Sequence, residues 1–303
     1  MTILLIGRNG QVGRAIETRL ASDDRLIAID RNDLDFAKPA DIPIVLDRLS
    51  PSLIINAAAF TDVDGAESQA DAAFAINAAA PEALAKWAAL HDAALLHFST
   101  DYVYDGSGEQ PWREGDLTGP LNVYGVSKLA GDRAISESGA AHLILRTSWV
   151  YAAEGQNFLK TMLRVGRDRE TLMVVDDQIG APTSADALAD IVAQILTQAG
   201  DDPDGLFQQK GGVVQTVCGG AASWREFAEA IFAGARLRGA DLMVTDVRPI
   251  PTSAYPTPAR RPLNSRMSLE RLNAQFGVTP PSWQDVLATV LDQLYAPAPV
   301  IDS

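Results

Sequence analysis

The chain is predicted to fold as an α/β protein. A doubly wound parallel sheet carries helices on both faces, with a smaller mixed α/β lobe toward the C-terminus. Three observations predict this. Short apolar runs alternate with helix-like stretches through residues 1–150. A glycine-rich turn, GRNGQVG, follows the first apolar run. Tyr124 and Lys128 lie four apart in LNVYGVSK, a spacing that puts both on one face of a helix.

Each element follows from its residues. Thr2 to Ile6 is a β-branched, apolar run and reads as a buried strand. Gly7, Gly10 and Gly13 come next as G-x-x-G-x-x-G, before the helix-like AIETRLA. Glycines there permit a tight turn, close approach to a pyrophosphate and close helix–sheet packing. The three glycines, with Gln11 and Val12 between them, are therefore candidate dinucleotide ligands on a Rossmann-type fold, and the helix N–H groups bind the anion. Arg25 to Asp30 reads as the second strand, and Asp30 stands where an acid holds ribose hydroxyls. Arg31 follows and can pair with a 2′-phosphate, so NADH and NADPH both remain open.

Leu53 to Ala58 and Ala94 to Thr100 read as further strands, with an alanine-rich helix from about Glu67 to His91 between them. Leu121 to about Ser138 is predicted to be the helix carrying Tyr124 and Lys128, and His142 to Val150 the next strand. Ligands in such folds sit beyond the carboxyl ends of the strands. Asp30, Ala57 to Thr61, Thr100 to Tyr102 and Ser148 to Tyr151 all fall there and are expected to converge on one crevice. A lysine beside a phenol favours the phenolate and is expected to lower the Tyr124 pKa toward neutral. Such a tyrosine can give a proton to a carbonyl oxygen.

The second half is less regular. Thr171 to Val175 reads as a strand, Thr183 to about Ala199 as a helix, and Ser282 to Tyr295 as a closing helix. Ser223 is predicted to cap a helix reaching Leu237, with Glu226 completing a capping box. Ile250 to Pro262 is a long proline-rich loop, whose Arg260 and Arg261 can offer bidentate donors to a diphosphate. The expected domains are 1–150 with part of 176–205 for NAD(P), and about 151–175 with 206–303 for a nucleotide sugar.

Composition bounds the function. The 303 residues are 47% hydrophobic and 21% charged, enough for a large core in two lobes. No run of eighteen apolar residues and no basic-plus-apolar leader occurs, which argues against a membrane span or secretory signal. The single cysteine, Cys218, excludes an internal disulfide framework and suits the cytoplasm; it is expected to be inert. A net charge of −14 disfavours nucleic acid or anionic membrane as a partner. His91, His97 and His142 are scattered, form no metal cluster and are expected in core or surface roles.

The pieces GRNGQVG, INAAAFTDVDGAE, FSTDYVYDG, PLNVYGVSKLAG, LRTSWVY, VVDDQIGAPTSA and AYPTPARRPLNSRM occur in that order. Together they resemble the dTDP-4-dehydrorhamnose reductases, a family of extended short-chain dehydrogenases/reductases. The resemblance spans nearly the whole chain. The first and fourth pieces are shared by the whole superfamily; STDYV-x-DG, RTSWVY, DQ-x-G-x-PT and the arginine-proline string are much narrower. It implies reduction of the 4-keto group of dTDP-4-dehydro-β-L-rhamnose by NADPH or NADH, the last step of dTDP-L-rhamnose biosynthesis.

It further implies Tyr124 as proton donor, Lys128 as its partner on the nicotinamide ribose, and Thr100 as hydrogen-bond donor to the keto oxygen. Asp101, Tyr102 and Trp149 would line the sugar pocket. Ala57, Ala58, Ala59 and Thr61 would border the cofactor, and Asp35 and Phe36 its adenine. Some members hold magnesium between subunits with a glutamate two residues past the last fingerprint glycine. Here that position is Ala15, and Asp186 stands in the later PTSADALAD segment. No metal ligand is therefore expected, and the chain is expected to be a monomer or a homodimer formed without the metal. Two alternatives remain: another nucleotide-sugar reductase or epimerase of the superfamily, and a non-catalytic regulatory subunit of the same fold.

Overall fold

The computed structural model describes residues 1–295. In the first half β1 (Ile3–Ile6), α1 (Gln11–Arg19), β2 (Leu26–Ile29), α2 (Ile42–Leu49) and β3 (Leu53–Asn56) follow in turn. Then come α3 (Val63–Ser68), α4 (Ala70–Phe74), α5 (Ala80–Leu90), β4 (Ala94–Thr100), α6 (Val123–Glu137) and β5 (His142–Thr147). The second half contains β6 (Val150–Tyr151), α7 (Phe158–Asp168), β7 (Thr171–Val175), β8 (Ile179–Gly180), β9 (Thr183–Ser184), α8 (Ala185–Ala199) and α9 (Pro203–Lys210). It ends with β10 (Gly212–Gln215), β11 (Ala222–Ser223), α10 (Trp224–Leu237), β12 (Asp246–Ile250), α11 (Glu270–Phe276) and α12 (Trp283–Tyr295).

The main sheet has the order β10-β5-β4-β3-β1-β2, and every pairing is parallel. The chain leaves β1 for β2 on one side and returns to β3 on the other. That reversal opens a crevice beyond the carboxyl ends of β1 and β3. β1 is a continuous apolar run, and β3 and β4 each begin as one, because both faces are covered. On one face, Ile16 of α1, Leu188, Ile191 and Val192 of α8, Phe207 of α9 and Leu272 of α11 pack on β1, β3 and β5. On the other, Ile42 and Leu46 of α2, Leu84 and Trp87 of α5, and Ile135 of α6 do so. Each such side chain contributes about 1.5–3 kcal/mol of burial.

A separate core joins Leu159 and Leu163 of α7, Leu172 and Val174 of β7, Phe227 and Ile231 of α10, and Val290 and Leu291 of α12. This core gathers elements from the ranges expected of the second lobe, 151–175 and 206–303. The expected capping box of α10 is present, with Ser223 and Glu226 each bonding the other's backbone N–H.

Three expectations are corrected. The helix expected from Glu67 to His91 starts earlier and is broken, at Gln69 and at a π turn over Ala75–Ala79. Pro81, at the start of α5, has no N–H to bond the Asn77 carbonyl, which opens the turn. That carbonyl instead meets Gly131 of α6, where an added Cβ would stand 2.1 Å from it. The strand expected to reach Val150 stops at Thr147, because Trp149 takes a left-handed φ of 51°. Residues 206–303 do not all lie in the second lobe: β10 pairs with β5, and α11 packs under the main sheet.

Candidate active site

A cleft of about 810 Å³ lies at the carboxyl ends of the main-sheet strands and extends to Trp149, Gln156 and Asn157. Gly7, Gly10, Gln11 and Val12 line one wall. Gly7 has a φ of 93°, and a Cβ there would lie 2.8 Å from the Ala58 nitrogen. Gly13 lies inside α1 against the turn, where a Cβ would be 2.1 Å from the Gly7 oxygen. Gly10 is the N-cap of α1 and supplies no side-chain cap, so first-turn N–H groups remain available. A backbone cradle without side chains at a helix N-terminus fits a pyrophosphate.

Asp30 ends the β2 edge of this wall. Its carboxylate accepts from Asn32 N at 2.7 Å and Asn9 Nδ2 at 2.8 Å. Those bonds, the Asn32 backbone bond first, hold its pKa below the ordinary carboxylate value. Arg31, Asp35 and Phe36 line the same end, while Ala57, Ala58, Ala59 and Thr61 line the β3 side. Phe36 is also buried in the core, and Asp35 accepts from Ala37 N at 3.0 Å.

The far end gathers Thr100, Asp101, Tyr102, Tyr124, Lys128 and Trp149. Thr100 is the last residue of β4. Its hydroxyl donates to Asp101 Oδ1 at 3.0 Å and accepts from Tyr102 N at 3.2 Å. Asn122 caps α6 by accepting from Gly125 N at 2.8 Å. Gly125 brings this first turn onto the 101–103 turn: a Cβ there would lie 2.3 Å from the Tyr102 oxygen. The Tyr124 and Tyr102 rings meet edge to face at 5.5 Å.

Burial sets the electrostatics here. It raises the Asp101 carboxyl to about 6, against hydrogen bonds from Ser265 and Thr100 that favour the carboxylate. It also pushes up the Tyr124 phenol, which the Thr100 hydroxyl opposes. Lys128 is depressed to about 8, again by burial, against the field of Asp132. The expected lowering of the Tyr124 pKa by Lys128 is therefore corrected. Lys128 Nζ donates to the Phe98 carbonyl at 2.6 Å and lies 3.1 Å from His97 Nε2. Sharing a helix face did not aim the ammonium at the phenol.

Trp149 lines the cleft but stacks on Trp224 of α10, with ring centroids 3.6 Å apart. Gly180 makes room, since a Cβ would come within 2.7 Å of the Trp149 ring. Arg260 and Arg261 do not line the cleft. Arg260 is exposed, and its carbonyl accepts from Asn122 Nδ2 at 2.8 Å. Arg261 is paired with Asp64 at 2.7 Å, beside Tyr102, whose phenol feels its charge.

Several lining residues were not singled out from the sequence. Ser99 and Thr147 carry buried hydroxyls with no hydrogen-bond partner, at the cleft. Both sit at strand ends, where the carboxyl-end rule would have found them. Asn157, the N-cap of α7, donates to Gln11 Oε1 at 2.8 Å and so ties α7 to the glycine turn. His97 is buried, as expected, but touches Lys128. His91 stacks on Trp87, and the His142 ring is bonded to the Ala140 carbonyl. The Cys218 thiol is buried and pushed up to about 11 by that burial.

Among the described residues no group of three or more His, Cys, Asp or Glu is placed to hold a metal ion. Ala15 is a buried residue of α1, and Asp186 accepts from Gln293 Nε2 at 2.8 Å. No helix among the described residues is long and apolar enough to cross a membrane.

Residues 1–296 match the family described as the RmlD substrate binding domain. The chain is 44% identical over 299 residues to the dTDP-4-dehydrorhamnose reductases of Shigella flexneri and Escherichia coli K12, covering 97% of this chain and 98% of each relative. A crystal structure of the Clostridium acetobutylicum dTDP-4-dehydrorhamnose reductase matches with a TM-score of 0.87 and 36% identity, over 97% of this chain and 99% of that one. The Bacillus anthracis enzyme, solved in complex with NADP, matches with a TM-score of 0.87 and 32% identity, over 97% and 100%. The chain belongs to the dTDP-4-dehydrorhamnose reductase family.

Proposed function

We propose that this chain reduces the 4-keto group of dTDP-4-dehydro-β-L-rhamnose to give dTDP-β-L-rhamnose, with NADPH or NADH as reductant. One observation carries the reading. A side-chain-free cradle at a helix N-terminus and a Thr100–Tyr124 hydroxyl pair line one cleft. The bound nicotinamide supplies the hydride. The chain's own groups do the rest. Thr100 and Tyr124 hydroxyls donate to the keto oxygen, where negative charge develops as the hydride arrives. Tyr124 gives that oxygen its proton, so hydride and proton together make the new alcohol. Its pKa, raised by burial, keeps the phenol protonated and ready as the acid.

Lys128 lines the same cleft and would hold the nicotinamide ribose. Asp30 would hold the adenosine ribose through its carboxylate, while Arg31 beside it offers charge to a 2′-phosphate. This supports use of both cofactors. Asp101, Tyr102 and Trp149 form the sugar end. Arg260 and Arg261 would serve the substrate diphosphate once Arg261 leaves Asp64. The cofactor half is then 1–150 with α8, α9 and β10, and the sugar half the core around α7, β7, α10 and α12.

The test is to incubate the purified chain with the keto sugar nucleotide and NADPH or NADH, and to weigh the product. A product heavier by two hydrogens supports the reading. An epimerised sugar of unchanged mass, or no reaction, contradicts it.

A further inference from the structure

Asp177 to Thr183 form the string DQIGAPT, and none of these residues lines the cleft. The segment is bonded instead to the two stretches that carry Trp149 and Trp224. Within it β8 pairs antiparallel with β11, which leads directly into Trp224 at the start of α10. On the other side, the Trp149 carbonyl accepts from Thr183 N at 3.2 Å, and the Ala181 carbonyl accepts from Ser148 Oγ at 3.3 Å. One segment thus holds the backbones of both indoles.

Trp149 needs holding. Its φ of 51° crowds the Cβ of an L residue, and a bulky side chain rarely adopts it. Local preference therefore does not aim this indole; its contacts do. The Trp224 ring lies parallel to it within 10°. Gly180 leaves the space that the Trp149 ring occupies. Phe158 of α7 packs on the Trp224 ring, with centroids 4.6 Å apart.

Trp224 is fixed in turn. Its Nε1–H donates to Gln178 Oε1 at 3.0 Å. An indole N–H can only donate, so this contact sets the amide orientation. Gln178 Nε2 then donates to Thr252 Oγ1 at 3.1 Å, and the Thr252 hydroxyl donates to Asp177 Oδ1 at 2.6 Å. Every donor in the chain meets an acceptor, and Gln178 is buried. A satisfied buried network of this kind favours one orientation of the indole.

We propose that Trp224 is a positioning residue for the sugar end: locked by Gln178, it holds the strained Trp149 indole in place at the cleft, and DQIGAPT is the segment that builds this seat. Trp149 lines the cleft and Trp224 does not, so Trp224 acts through Trp149. A ring already fixed in place loses little freedom when a sugar binds against it, and affinity is gained by that saving.

The catalytic consequence rests on the reading of Trp149 as a sugar contact; the seat itself stands apart from it. The chain has five tryptophans, so ¹⁵N-indole labelling gives one N–H signal for each. Trp149→Phe and Trp224→Phe assign two of them by loss. In Gln178→Leu the Trp224 indole proton should move upfield as its hydrogen bond is lost, and the Trp149 signal should shift or broaden with it. A Trp149 signal identical to that of the wild type overturns the proposal. In steady-state kinetics Trp224→Ala should raise KM for the keto sugar nucleotide about 3- to 10-fold, the scale of one aromatic stack. KM for NADPH or NADH should stay unchanged, and Trp224→Phe, which keeps a ring in the stack, should recover most of the loss. The double variant Trp149→Ala/Trp224→Ala should be no worse than Trp149→Ala alone. Additive losses, or an equal rise in KM for the cofactor, overturn the proposal. If Trp224→Ala does not fold, Gln178→Leu carries the same comparison. Coupled indole signals in a wild type without reductase activity would count against the proposed reaction and not against the seat.

Discussion

Lys128 Nζ donates to the Phe98 carbonyl at 2.6 Å, although Lys128 sits one helical turn from Tyr124. The lysine is anchored to the sheet, and the tyrosine is left to burial and to the Thr100 hydroxyl. Tyr124, the proposed proton donor, is therefore a protonated phenol beside a strand-end hydroxyl.

Tyr124→Phe removes one hydroxyl and little volume. The fold and cofactor binding should persist, while kcat falls about 10²–10⁴-fold, the scale of general acid catalysis. Steady-state kinetics and cofactor titration of the purified variant check this. Near-normal turnover would remove Tyr124 from the role.

Local chemistry was what the sequence showed most clearly. Ser223 and Glu226 are three residues apart, so their capping box needs no tertiary information. Gly7, Gly10 and Gly13 are equally local, and the structure seats them beside Ala57 and Ala58 as a cradle. What stayed hidden depends on distant partners. The segment GVVQ of β10 is too short to declare itself; it is a strand because β5 offers an open edge. His97 reads as a core residue until β3 and α6 bring Asn56 and Lys128 to its two nitrogens. The π turn had a local signal in Pro81, but its position reflects the fit of Asn77 against Gly131.

Asp30→Ala should shift cofactor preference toward NADPH. The Asp30 carboxylate, ordered by Asn9 and Asn32, suits a free 2′-hydroxyl and repels a 2′-phosphate. The ratio of kcat/KM for NADPH to that for NADH should rise severalfold in the variant. An unchanged ratio would mean that Asp30 does not face the ribose.

Asp101→Asn should change how stability depends on pH. Burial raises the folded-state Asp101 pKa from 3.8 to about 6. A raised pKa means that its stabilising contribution is full below the unfolded value and is lost as pH rises through the folded one. The wild type should therefore lose up to about 3 kcal/mol from this group between about pH 4 and pH 6.5, and the variant should not. Urea unfolding of both proteins across that window measures the difference. A stability difference that stays flat with pH contradicts the assignment.

Activity should survive chelation. A divalent ion shared between subunits needs several carboxylates, yet Ala15 occupies one such position and Asp186 is engaged by Gln293. In the proposed reaction Thr100 and Tyr124 supply the donors that the keto oxygen needs. Turnover and light scattering with EDTA and with added magnesium should show unchanged rate and unchanged mass. Loss of activity and of a dimer on chelation, restored by magnesium, would show that other acids build a site.

The most direct test of the reductase assignment is stoichiometry. The purified chain is mixed with dTDP-4-dehydro-β-L-rhamnose and NADPH or NADH, and the oxidised cofactor and the dTDP-β-L-rhamnose formed are both quantified. The account predicts one mole of cofactor oxidised per mole of product, with both lost in Tyr124→Phe. Conversion of the keto sugar to an isomer of unchanged mass, with no net cofactor oxidation, would indicate an epimerase. Neither oxidation nor product, from a folded chain that binds cofactor, would contradict catalysis at this cleft.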